Sequence, residues 1–223
     1  MNRKVIYTVI AGNYDTLKNQ PKQDGFDYIC FTDNKNLKSD FWEIRYIPDE
    51  LKELSDSKKN RCIKILPHKY LPEYDFSIYI DGNIDIKGDI NEYVRNNCTP
   101  DKGYVFIGKH PYGRNCIYDE AIALVDLKKD KKETMFEQVE GYKKEGFPEN
   151  YGLTQNSIIF RYHNNSECIK LMECWWNEVK NKSHRDQLSL YYAKWKTNTE
   201  IVVLDKSIFN CKYFKWNIFH TKR

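Results

Sequence analysis

The chain has no Cys-x-x-Cys pair, no Gly-x-Gly-x-x-Gly fingerprint and no Walker A sequence. Nor does any apolar stretch approach the roughly 18 residues of a membrane-crossing helix. The first absence speaks against a zinc ribbon, and the next two remove the main support for dinucleotide-binding or P-loop chemistry. The seven cysteines are odd in number and scattered, which fits reduced thiols and not a disulfide framework. The apolar run from Val5 to Ala11 is too short for the core of a signal peptide, so a cytoplasmic location is expected, with at most a peripheral contact at the inner membrane surface. Low-complexity linkers and repeats are also missing, and 223 residues are expected to form one domain, 1–223.

What is present is charge and rings. Charged residues make up 30% and aromatics 15% of the chain, a globular composition with many rings for packing or for a wet groove. The net charge of +4 is mild. Its one dense run, Lys128-Lys129-Asp130-Lys131-Lys132, lacks interleaved aromatics and reads as a solvated helix end, so no nucleic-acid partner is expected.

Strand-like runs recur at KVIYTVIAG, DYICFTD, FWEIRYI, FSIYIDG, GYVFIGK, SIIFRYH and TEIVVLD, with helical spacing between them, the pattern of a mixed α/β layer. Cys168, Leu171, Met172, Trp175, Trp176 and Val179 recur at helical spacing after an Asn165 N-cap, which places both tryptophans in a core. Further helices are expected from Ser57 towards Leu71, bent or ended at Pro67, and from Asn115 and Lys132.

The segment IYIDGNIDI, residues 78–86, raises the functional question. With a period of two, Ile78, Ile80, Ile84 and Ile86 share one face, while Tyr79, Asp81, Asn83 and Asp85 share the other. Asp81-Gly82-Asn83 is good turn chemistry, so a β-hairpin with a wet face is one reading. The other is a ligand site, because carboxylate and amide oxygens at a strand end are hard ligands for Mg²⁺ or Mn²⁺.

Taken with the rest of the chain, this segment resembles the Asp-x-Asp region of GT-A nucleotide-sugar transferases. LPEYDFSIYIDGNIDIKGDI is similar to the corresponding part of glycosyltransferase family 8. A nearer resemblance is to the glycosyltransferase-like family first described as domain of unknown function 616, carried by VIYTVIAGNYD, CFTDN, RCIKILPHKYLPEYD, YIDGNI, CIYDEA, IIFRYHN and RDQLSLYY. It implies an α/β fold, a single GT-A Rossmann-like domain with a mixed central sheet flanked by helices. The implied activity is transfer of a sugar, retaining in outcome, from a nucleoside diphosphate sugar, UDP first, to a hydroxyl of a glycan or glycolipid acceptor in surface polysaccharide synthesis.

Donor contacts are expected from Thr8, Gly12, Tyr14 and Asp33, at the ends of the first two strands where an open α/β sheet takes its ligand and where Asp33-Asn34 can equally be an ordinary turn, and, by the resemblance, from Arg61, Lys64, Asp81 and Gly82. The resemblance assigns the metal, Mn²⁺ or Mg²⁺, to Asp81, Asn83 and His220, and the reacting sugar to Asp186 and Gln187. Acceptor contacts fall to His110, Gly152 and Gln155. Asn83 stands where many transferases have a second aspartate, so the ion would be held more by the diphosphate, and Asn83→Asp would tighten it. The residues leave bland alternatives open: Asp186 can simply favour a helix start, and Asp119 and Glu120 can be a base or exposed helix carboxylates. Two rival functions also remain, an idle nucleotide-sugar or glycan-binding module and a metal-dependent hydrolase.

Overall fold

The structure is a computed structural model that describes residues 3–205 and 211–217. Its strands are β1 (Lys4–Ile10), β2 (Phe26–Thr32), β3 (Glu43–Tyr46), β4 (Phe76–Ile80), β5 (Ile84–Ile86), β6 (Val105–Lys109), β7 (Thr154–Arg161), β8 (Val202–Leu204) and β9 (Phe214–Trp216). Its helices are α1 (Asp56–Ile65), α2 (Pro67–Tyr70), α3 (Ile90–Asn97), α4 (Ile117–Asp126), α5 (Lys132–Lys144), α6 (Ser166–Asn181) and α7 (Gln187–Thr197).

The described strands form a seven-stranded sheet in the order β3-β2-β1-β4-β7-β6-β8, and β5 pairs with β9 in a second, two-stranded sheet. Within the larger sheet β7 is antiparallel to both its neighbours, and the remaining pairs are parallel. The carboxyl ends of β1, β2, β4 and β6 therefore open on one edge, together with the start of β7. Ligands of open α/β sheets sit at such an edge.

Period-two alternation sorts the core into two layers. Val5, Tyr7 and Val9 of β1, Tyr79 of β4 and Ile159 of β7 pack with residues of α1, α4, α5, α6 and α7. Ile6, Ile10, Ile78, Ile80, Ile158 and Phe160 pack on the opposite side with α3 and the small sheet. All four isoleucines of IYIDGNIDI join that second layer, as their spacing requires. The hairpin reading fails, however. After the turn closed by Ile84 N on Asp81 O, at 3.0 Å, β5 leaves β4 and pairs with β9.

Helix starts follow local chemistry. Ser55, Asp89 and Asn165 cap α1, α3 and α6 through side-chain oxygens. Pro67 ends the long helix expected from Ser57, since α2 restarts with that proline in its first turn. Trp175 and Trp176 are core, at 0% and 8% exposed.

Candidate functional site

The site grows from α1. Arg61 and Lys64 lie one turn apart on its inner side. Every helix C-terminus leaves carbonyls without intrahelical partners. Here they are buried, and the fully buried Arg161 of β7 donates to Lys64 O at 2.8 Å and Ile65 O at 3.4 Å. Tyr7 OH donates to the same Lys64 carbonyl at 2.8 Å and accepts from Arg161. The backbone of Lys64 is thus held from two strands, which aims its ammonium at the sheet edge.

There it meets two carboxylates. Lys64 Nζ is 2.7 Å from Asp186 Oδ2 and 3.7 Å from Asp81 Oδ1, and Arg61 Nε is 3.3 Å from Asp186 Oδ2. Tyr79 OH donates to Asp81 Oδ1 at 2.7 Å. Its aromatic ring also lies 4.8 Å below the Lys64 ammonium. Trp175 Nε1 donates to Asp186 O at 2.9 Å and fixes that backbone.

The electrostatics follow from burial. Burial alone would raise the Asp186 carboxyl, but Lys64, Arg61 and Arg185 outweigh it and hold the group well below the usual carboxylate range. Burial pulls the Lys64 ammonium down, with Asp186 and Asp81 opposing. Burial and then Asp81 push the Tyr79 hydroxyl well up, so it remains a proton donor. Asp186 is only 3% exposed, whereas the Asp81 side chain is 27% exposed. Asp81 therefore reaches the open edge of the sheet, and Asp186 lies buried behind it against both cations.

Beside this cluster a cleft of about 640 Å³ opens over the ends of β1 and β2, lined among others by Ile10, Asn13, Asp15, Thr32, Asn34 and Leu37. Gly12 N donates to Asp33 Oδ1 at 3.0 Å, and Lys59 Nζ is 3.5 Å from Asp33 Oδ2. Asp33 thus shapes the exit of β1. Tyr14 is 46% exposed at the same exit, but Thr8 is buried within β1, two residues below the edge. Gly82 passes close to Asp15: a Cβ there would lie 3.0 Å from Asp15 Oδ2, so that side chain would have to give way by a few tenths of an ångström.

The metal residues divide. Asn83 is 3% exposed, and its Nδ2 donates to Asn217 O at 2.9 Å. His220 lies outside the described residues. No group of three or more His, Cys, Asp or Glu side chains suited to a metal occurs among the described residues. Asp81 keeps its Oδ2 outside the Tyr79 and Lys64 contacts, and the Asn217 carbonyl engages the amide nitrogen of Asn83, not its oxygen. That donor set fits a Mg²⁺-like ion carried chiefly by substrate phosphates and touching one carboxylate, not an ion caged by protein.

The residues expected to bind an acceptor lie in different settings. His110 is 5% exposed, with Nε2 3.6 Å from Glu120 Oε2, which also accepts from Arg114 Nε at 2.6 Å. Burial, then Arg114, lowers its imidazole to about 4, so it is neutral at physiological pH. Glu120 is buried and not an exposed helix carboxylate. Gly152 N donates to Asn115 O at 2.8 Å, near the start of α4. Gln155 instead lines a small cavity with Phe160 and Phe214, on the opposite side of the sheet.

Gly152 has φ +135°, and a Cβ would come within 2.1 Å of the Tyr191 ring. Gly152→Ala is therefore expected to destabilise the fold by about 2–4 kcal/mol, from backbone strain plus overpacking. A urea midpoint unchanged from wild type would contradict this placement.

Sequence reasoning passed over Tyr79, Asp15, Arg161 and Arg185 as site residues. Tyr79 was visible as the residue two before Asp81 on the same face. Arg185 was visible in HRDQ; it donates to Gln187 Oε1 at 3.2 Å and borders Asp186. Asp15 and Arg161 carried no local signal, since their partners are distant in sequence. Asp186 stands at the N-cap of α7 but makes no side-chain hydrogen bond to that helix; its carboxylate is engaged by Lys64 and Arg61 instead.

No curated protein matches this chain. Among solved structures the chain is similar to the bifunctional glycosyltransferase WbbM in its apo form, with a TM-score of 0.55 at 10% identity, over 91% of this chain. The match takes in 38% of the WbbM chain, so this chain spans well under half of that protein's length. At that identity the likeness speaks for the fold, a GT-A-like mixed sheet flanked by helices. The model of the TOD1/MUCI70, glycosyltransferase-like domain matches residues 31–220, from the end of β2 past β9. With most of its length matched, the chain belongs to the TOD1/MUCI70 family of glycosyltransferase-like domains.

Proposed function

We propose that the chain is a glycosyltransferase that moves a sugar from a nucleoside diphosphate donor, UDP-linked first among the candidates, to a hydroxyl of a glycan or glycolipid acceptor in surface polysaccharide synthesis. The observation that carries this reading is the part-exposed Asp81, backed by Lys64, Arg61 and Asp186, at the carboxyl edge beside the 640 Å³ cleft. The cleft offers apolar Ile10 and Leu37 beside the amides of Asn13 and Asn34, a mixture suited to a base and ribose.

In this reading the diphosphate lies between cleft and cluster. Arg61, with 18% of its side chain exposed, faces the charge that develops on the leaving group. A divalent cation, when bound, would supply further neutralisation there, with Asp81 as its described protein ligand. Asp186 acts through Lys64 and Arg61 as a positioning residue, and Gln187 steadies Arg185 beside it.

Two rivals make different forecasts. A binding module would hold the donor without slowly hydrolysing it, and a hydrolase would cleave a glycan with no nucleotide present. The test is a thermal-shift series of nucleotide sugars with and without Mn²⁺. A ligand present at about 100 times its Kd stabilises the folded state by roughly 2.7 kcal/mol. Selective stabilisation by one nucleoside class supports a donor site, and equal or absent shifts with every nucleotide would end the assignment.

A further inference from the structure

The dense basic run lies at the junction of α4 and α5. Lys128, Lys129, Lys131 and Lys132 are all exposed, and none of them enters an ion pair among the described residues. In sequence the run is divided by an acid, but in three dimensions Asp130 turns inward. Its Oδ2 accepts from Ser183 Oγ at 2.5 Å and lies 2.9 Å from His184 Nδ1, and its Oδ1 accepts from Lys131 N at 2.8 Å. The outer side of the turn therefore carries four lysines, flanked by two exposed acids, Asp126 and Glu133.

An apolar residue stands in the middle of this charge. Leu127 is 61% exposed, immediately before Lys128, whose φ of +50° brings the chain round sharply. Ile122, on the preceding part of α4, is 55% exposed. Leu127 thus stands exposed among four lysines that form no ion pair among the described residues. A surface that is negatively charged outside and apolar just beneath suits both, and an anionic lipid leaflet has that composition.

We propose that the α4–α5 turn docks this chain on anionic membrane, with the lysines at the headgroups and Leu127 entering the acyl boundary. The inference deepens the glycosyltransferase reading and rests on it for one point, that the acceptor glycan is carried on lipid. The geometry links the two regions. Asp130 ties the turn to Ser183 and His184, three and two residues ahead of Asp186, so docking by the turn brings a lipid surface to the side of the molecule that supports the cluster.

The test is sedimentation of the full chain with vesicles of phosphatidylcholine, alone or mixed with phosphatidylglycerol, and needs neither donor nor activity. Binding is expected to the mixed vesicles only, and to fall as salt rises from about 50 to about 500 mM. Each Lys→Gln change at positions 128, 129, 131 and 132 is expected to weaken it about fivefold, the equivalent of about 1 kcal/mol per lysine. Leu127→Ser should weaken it while leaving the salt dependence unchanged. Equal binding to both vesicle types, no binding to either, or competition by a soluble polyanion such as single-stranded DNA at equal phosphate would each overturn the proposal. Vesicle binding without nucleotide-sugar stabilisation would leave the docking surface standing and remove the transferase reading, and the converse result would do the reverse.

Discussion

Asp186→Ala is expected to cost about 3–5 kcal/mol of folding free energy, because it strands two cations that Asp186 now neutralises in a buried setting. For a chain of this length that lowers the melting temperature by on the order of 10 °C. Lys64 is 1% exposed, and with Asp186 gone its remaining carboxylate neighbour is Asp81 at 3.7 Å. Replacing both members of the pair, Asp186→Leu with Lys64→Met, removes the stranded ammonium and should recover much of the loss in stability, while under the proposed function donor turnover stays abolished. Thermal melts of wild type, both single variants and the double variant measure this as a coupling energy. Additive losses would mean that the pair does not interact.

The same carboxylate gives the wild type an acid limb. Its folded-state pKa is depressed below the ordinary 3.8. Its contribution is therefore complete above that pH and is lost as the pH falls through the folded value. Asp186→Asn should show lower stability at neutral pH and a flatter decline between about pH 4 and pH 2.

Asp81→Ala is expected to do the opposite, sparing the fold and removing the ligand. Little packing depends on the part-exposed carboxylate, although Tyr79 OH loses its acceptor, for roughly 1–2 kcal/mol. Under the proposed function, cation-dependent UDP binding should weaken by at least about 100-fold, the upper range for losing a group that merely supports a metal ligand. The companion variant reverses the expectation from sequence. Asn83→Asp would set a carboxylate oxygen against Asn217 O in place of the donating amide, in a residue only 3% exposed. We expect destabilisation of about 1–3 kcal/mol and no gain in Mn²⁺ affinity. Titrating Mn²⁺ into each protein with UDP present separates these outcomes, and tighter binding by Asn83→Asp would show that this side chain reaches the ion.

The legible parts were those in which a residue's fate depends on near neighbours. Alternation sorted Ile78, Ile80, Ile84 and Ile86 from Tyr79, and helical spacing with the Asn165 cap found α6. The order of motifs pointed to the fold. What stayed hidden was set by distant pairing. IDI and FKW are too short to announce themselves as partners, yet β5 and β9 form a ladder that takes Asn83 with it. Lys64 and Asp186 are on helices far apart in sequence, so their contact follows from how α1 and α7 converge on the sheet edge. α3 was also unread, although Asp89 caps it, because its eight residues give little periodicity.

The β5–β9 ladder has a consequence for how the protein is made. The turn at Asp81–Asn83 is emitted early from the ribosome, but its clasp at Asn217 comes more than 130 residues later, about 7–25 s at ordinary translation rates. Through that interval the seven-stranded sheet can assemble while the turn has only the ends of β4 and β5 to shape it. A chain stopped after β8 would retain every strand of the large sheet and lose the ladder, along with the Asn217 contacts to Asn83 O and Nδ2. The final shape of the edge around Asp81 would therefore arrive as a late event in synthesis, after the bulk of the fold has formed.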